Sequence, residues 1–137
     1  MKKNYDIVEK VIHYMEENLD EELTLDTISK HVGYSKFHLN RIFTEVTGYT
    51  MHKFIQSRRL YLAARKLTTT TTPIAQIALE AGYHSQQAFT LAFRQIYQYP
   101  PQTYRKLAST VLSVPSFNQS HAKQSSKISY AWEVLAA

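Results

Sequence analysis

The sequence predicts an all-α protein of about seven helices: two helix-turn-helix subdomains joined by a long linker helix, followed by an irregular C-terminal tail. Three observations carry this. First, GYSKFHLNRIFTEVTGYTMHKF at 33–54 returns as GYHSQQAFTLAFRQIYQYPPQTYR at 82–105. A shift of 49 places Gly33-Tyr34 on Gly82-Tyr83, and a shift of 50 places Ser35, Leu39, Phe43, Val46 and Phe54 on Ser85, Phe89, Phe93, Ile96 and Tyr104, with His84 as the extra residue of the second turn. Second, each copy has the same punctuation. Gly33 and Gly82 stand where a helix end needs positive φ, and Ser35 and Ser85 stand where the next helix needs an N-cap. Third, the apolar residues fall at helical spacing: Leu39, Ile42, Phe43, Val46 in one copy and Phe89, Ala92, Phe93, Ile96 in the other.

Taken in order, the chain opens with an amphipathic helix from Asn4 to Leu19, its inner face drawn from Ile7, Val8, Val11, Ile12, Met15 and Leu19. Thr24 caps a helix over 25–32. Ser35 begins the first reading helix, and Gly48 ends it near Thr47. Thr50 caps a helix from Met51 to about Leu67, rich in helix formers. At about 1.5 Å per residue this linker helix spans roughly 25 Å, enough with flanking packing to hold two reading helices about one DNA turn apart. The threonines of 68–72 read as an inter-helix turn, because a β-branched polar run extends a helix poorly. Thr72-Pro73 reads as an N-cap followed by proline in the first helical position. After the second reading helix, Pro100-Pro101 open a short closing helix in which Tyr104 plugs the core and Arg105 is an exposed charge. The expected organisation is therefore a first subdomain at 1–50, the linker helix at 51–67, a second subdomain at 68–107, and a flexible or weakly docked tail at 108–137.

The outward faces of the two reading helices have an unusual composition. At 100° per residue Phe37, Asn40, Arg41 and Thr44 point away from the first core, and Gln87, Thr90, Leu91 and Arg94 away from the second, with Gln86 at the helix start. A merely solvated face would carry Glu and Lys. Asn, Gln and Arg hydrogen-bond base edges, and apolar groups touch the thymine methyl. The expected base contacts are Phe37, Asn40, Arg41, Gln86, Gln87, Thr90 and Leu91. Lys36, His38, Lys53, Arg58, Arg59, Arg94 and Arg105 are the expected contacts to the DNA backbone.

Charge layout agrees. The formal net charge is +5. Eight acids (Asp6, Glu9, Glu16, Glu17, Asp20, Glu21, Glu22, Asp26) face three lysines up to Asp26, whereas thirteen Lys and Arg face three acids (Glu45, Glu80, Glu133) from Thr27 on. The repeated region is a cationic body of the kind that attracts nucleic acid. There is no cysteine, which removes disulfides, thiolate metal sites and thiol nucleophiles and fits a cytoplasmic setting. No stretch reaches the ~20 apolar residues of a membrane span. His13, His31, His38, His52, His84 and His121 form no metal-ligand spacing, and Asp20, Glu21 and Glu22 form a solvated run rather than a catalytic pair. No cofactor, metal or catalytic residue is expected. An RNA-binding or protein-docking helical module is the alternative; it would call for exposed aromatic platforms, and the aromatics here sit mostly in core phase.

The repeat, the GYSKFHLNRIF segment, Ser57-Arg58-Arg59-Leu60 and the PPQTYR ending together resemble the AraC/XylS family of bacterial transcription activators, in particular its small two-motif MarA, SoxS and Rob group. The resemblance covers roughly 7–107. It implies a monomer that binds an asymmetric promoter site on double-stranded DNA and recruits RNA polymerase. In that group the first reading helix uses a tryptophan, a glutamine and an arginine, and those positions hold Phe37, Asn40 and Arg41 here. The second uses paired glutamines, threonines and an arginine. Gln86, Gln87 and Thr90 match, whereas Ala88 replaces a threonine and Leu91 replaces the arginine. Leu91 cannot form the bidentate guanine contact, so the first helix is expected to dominate specificity.

Overall fold

The computed structural model describes residues 2–110, with side chains from Lys3 onward. Among these residues there are seven helices and no strand: α1 Lys2–Glu17, α2 Leu25–Val32, α3 Lys36–Thr47, α4 Met51–Thr69, α5 Ile74–Glu80, α6 Gln86–Tyr97 and α7 Pro101–Thr110. They form two compact units, and the division falls inside α4, between Arg58 and Arg59.

In the first unit the inner face of α1 is buried as its periodicity predicts, with Val8, Val11 and Met15 almost wholly enclosed. Ile28 of α2, Leu39, Ile42 and Phe43 of α3, and Met51, Phe54 and Ile55 from the start of α4 complete the core. Phe43 and Phe54 meet edge to face at 5.2 Å. Each large apolar side chain buried this way stabilises the fold by roughly 1.5–3 kcal/mol.

The second unit packs Leu60, Ala63, Ala64 and Leu67 of α4 against Ile77 and Ala78, Phe89 and Phe93, and Tyr97 and Tyr104. Phe93 stacks on Tyr97 at 4.6 Å and meets Tyr104 edge to face at 5.3 Å. Tyr104 is thus the plug its sequence position suggested. The two ends of the linker helix are core elements of two different units.

Caps explain why the helices stop where they do. The Thr24 side chain accepts from the Thr27 amide and the Thr27 hydroxyl oxygen accepts from the Thr24 amide, a reciprocal box at the start of α2. Ser35 accepts from the His38 amide at 3.2 Å, and Ser85 from the Ala88 amide at 3.0 Å. Gly33 and Gly82 turn the chain at φ 87° and 89°. In the first turn the Ser29 hydroxyl donates to the Tyr34 carbonyl.

Three local expectations are corrected. α4 continues to Thr69, because the hydroxyls of Thr68 and Thr69 donate to the Arg65 carbonyl and so join the helix end instead of competing with it. Pro73, not Thr72, occupies the N-cap position of α5 and supplies no side-chain cap. Residues 108–110 complete α7, with Ala108 buried; the rest of the expected tail lies outside the described residues. No helix among the described residues is long and apolar enough to cross a membrane.

Candidate nucleic-acid interface

Each unit presents one helix after a tight turn. On α3, Leu39, Ile42 and Phe43 fix the inward face, so Phe37, Arg41 and Thr44 are exposed. Phe37 is the extreme case, with 80% of its surface open. An aromatic ring this exposed contributes nothing to the core, and the Lys36 ammonium lies 5.7 Å from its centroid. Lys36 also pairs with Asp26 at 3.5 Å.

His38 and Arg41 form a unit. An Arg41 terminal nitrogen lies 3.2 Å from His38 Nδ1. A guanidinium only donates, so in this contact Nδ1 is the acceptor. The ring leans on Tyr34 at 5.6 Å. Arg41 is therefore held pointing outward rather than left to wander. Tyr34 belongs to the site through this contact, and its only sequence signal is its place in the repeated Gly-Tyr pair. Glu45 is a second addition. It is exposed, one turn beyond Arg41, and helps line a shallow hollow with Phe37, Asn40, Arg41 and Thr44.

On α6, Phe89, Phe93 and Tyr97 point inward. Gln86, Gln87 and Arg94 are exposed, Thr90 is half-buried, and Leu91 has 60% of its surface open. The two glutamines occupy the first turn, where free backbone N–H groups also favour an approaching phosphate.

The structure treats the remaining expected residues unequally. Lys53 is exposed in the first turn of α4. Arg59 is half-buried; a Cβ added at Gly82 would lie 3.1 Å from its guanidinium. Three residues are committed elsewhere. Asn40 is half-buried, not free on the outward face, and its Oδ1 accepts from the Met51 amide at 3.0 Å. Arg58 closes a two-pronged ion pair on Glu16, and only 13% of its side chain remains exposed. Arg105 is not an exposed charge. Its Nε donates to the Leu67 carbonyl at 2.9 Å and an Nη to the Thr72 carbonyl at 2.7 Å, tying α7 to the end of α4 and the threonine turn. Helical phase alone could not reveal these partners. No group of ligating side chains suited to a metal ion occurs among the described residues.

A family model described as a helix-turn-helix domain matches residues 28–107. The regulatory protein SoxS of Salmonella typhimurium is 42% identical over 99 residues, covering 72% of this chain and 92% of SoxS. The transcriptional regulator Rob of the same organism is 40% identical over 100 residues, covering 73% of this chain and 35% of Rob. Among solved structures, a transcriptional regulator with an AraC-type DNA-binding domain from Chromobacterium violaceum superposes with a TM-score of 0.72 at 28% identity, over 77% of this chain and 95% of that one. The DNA-binding domain of AdpA, solved with a target DNA, shares the fold with a TM-score of 0.70 at 23% identity, over 75% and 93% of the two chains. These relatives are regulators rather than enzymes. The chain belongs to the AraC-type family of helix-turn-helix, DNA-binding transcription regulators, alongside SoxS and Rob.

Proposed function

We propose that this protein is a transcription activator that binds an asymmetric promoter site as a monomer, sets α3 and α6 into successive major-groove segments, and recruits RNA polymerase. The observation that carries the reading is the exposure of base-reading side chains on two helices in matched frames: Phe37 and Arg41 on α3, and Gln86, Gln87 and Leu91 on α6. Arg41 is the strongest discriminator, because a guanidinium grips guanine O6 and N7 together, at ~1–3 kcal/mol against the wrong base. Phe37 and Leu91 supply apolar contact to thymine methyls. Gln86 and Gln87 reach adenine edges, with Thr90 beside them.

Lys36, His38, Lys53 and Arg94 are the proposed backbone contacts on the exposed faces, with Arg59 at their margin. They fix register and add affinity without reading sequence. Arg58 and Arg105 leave this set because each holds protein acceptors with two guanidinium nitrogens and is withdrawn from the exposed faces. The first helix leads in specificity, since α6 has Leu91 where the related group has an arginine. Polymerase recruitment is supported by the resemblance to small two-motif activators.

The direct experiment is site selection from random duplex DNA, followed by titration of the selected duplex and of the same sequence as RNA at several salt concentrations. The expected result is a two-part motif, duplex preference, and a log-log salt slope that drops by about one in each of Lys53→Ala and Arg94→Ala. Equal RNA binding with a flat slope contradicts the proposal. Transcription in vitro with purified polymerase then separates activation from repression.

A further inference from the structure

The two units meet one structural demand in two ways, and the difference assigns a role to Asn40. A helix leaves its first backbone N–H groups without internal partners. At the start of α4 the Thr50 hydroxyl accepts from the Lys53 amide at 3.1 Å. The Met51 amide is taken by Asn40 Oδ1, reaching across from α3 at 3.0 Å. Met51 is fully buried, so water is a poor substitute for that acceptor. A backbone N–H can only donate, which fixes the orientation of the Asn40 amide: oxygen toward Met51, nitrogen away.

The repeat supplies a control. The shift of 50 that aligns the two units places Asn40 on Thr90 and Met51 on Pro101. Pro101 begins α7 and carries no N–H. The second unit therefore has no amide at this position that needs a long acceptor, and it has a threonine where the first unit has asparagine. The long amide side chain and the N–H at the first position of the next helix occur together in one unit, and both are missing in the other.

We propose that Asn40 is a positioning residue that fastens the reading helix α3 to the N-terminus of α4, and that it therefore does not read adenine. This deepens the proposed DNA-reading role and rests on it. The adenine contact needs Oδ1 to accept from N6 while Nδ2 donates to N7, both aimed at the same base edge. With Oδ1 turned to the Met51 amide, the oxygen and the amino group are no longer both free to aim at one base edge. The Asn40 amino group is left to donate to a phosphate, and base discrimination on α3 falls to Arg41 and Phe37.

The test uses the full chain, with amide hydrogen exchange at Met51 and Lys53 and site selection on random duplex DNA, for wild type, Asn40→Ala and Asn40→Asp. Asn40→Ala is expected to speed Met51 exchange about tenfold, with Lys53 unchanged, and to blur the whole first half-site. Asn40→Asp keeps an acceptor, so Met51 protection is restored. The base preferences of the first half-site persist while affinity falls uniformly. Met51 exchange unchanged in Asn40→Ala overturns the fastening. A single adenine preference lost in Asn40→Asp, with neighbouring positions intact, overturns the donor-only reading. A wild type that selects no motif defeats the DNA-reading proposal instead, and the exchange data then judge the fastening by themselves.

Discussion

Arg58 grips Glu16 with two prongs, Nε 3.1 Å from Oε2 and an Nη 2.9 Å from Oε1. Both side chains are largely withdrawn from water, so the pair is charge-assisted and only weakly screened. Arg58→Ala is expected to lower unfolding free energy by about 1.5–3 kcal/mol, and Arg58→Lys to recover little of it because an ammonium cannot form the two-pronged geometry. Chemical denaturation measures the loss. Binding titrations at several salt concentrations should show a slope equal to that of wild type. A slope reduced by about one would return Arg58 to the phosphate contacts.

Leu91 stands on the exposed face of α6 with 60% of its surface open. Leu91→Arg adds a guanidinium there without disturbing the core behind it. Site selection with this variant should show a new guanine preference in the second half-site, worth about 1–3 kcal/mol. An unchanged motif would mean that this position does not face a base.

Gln98 ends α6 in the left-handed region at φ 71°, where the first unit has Gly48 at φ 83°. The left-handed conformation costs a residue with a Cβ roughly 1–2 kcal/mol, and glycine escapes that cost. Gln98→Gly should therefore stabilise the protein by about 1 kcal/mol, and Gly48→Gln should destabilise it by a similar amount. Gln98→Ala serves as the control and should give no gain. Denaturation midpoints decide it.

Tyr104 supplies a pH dependence. Burial, and after it the charge on neighbouring Tyr61, raises its phenol above the ordinary 10.0. As pH rises the unfolded chain loses this proton first. The stabilisation is full below about pH 10 and is lost as pH climbs through the folded-state value. Wild type should therefore lose more stability between neutral and strongly alkaline pH than Tyr104→Phe does. Parallel losses in the two proteins would remove Tyr104 as the cause.

The limits of the sequence follow from the range of the forces involved. Ser35, Ser85, Thr24, Thr50, Gly33 and Gly48 could be read directly, because a cap is decided within about four residues. The inward faces of α1, α3 and α6 could be read because periodicity is also local. Asn40, Arg58 and Arg105 could not. Each is defined by a partner that folding brings near: Met51 on the next helix, Glu16 in the last turn of α1, and the carbonyls of Leu67 and Thr72. Helical phase indicates which side a residue emerges from, but a long side chain can bend back. Thr68 and Thr69 were misjudged for a related reason, since their hydroxyls support the helix end through a carbonyl of the preceding turn, while 70–72 connect the two helices as expected.

The proposal that α3 and α6 both read one site is the central one, and spacing tests it most directly. Once a site has been selected, affinity is measured for that duplex and for one with about five base pairs, half a helical turn, inserted between its two parts. Reading by both helices predicts that the insertion lowers affinity at least about tenfold, to the level of a site with its second part scrambled. Equal affinity for the two duplexes would contradict it.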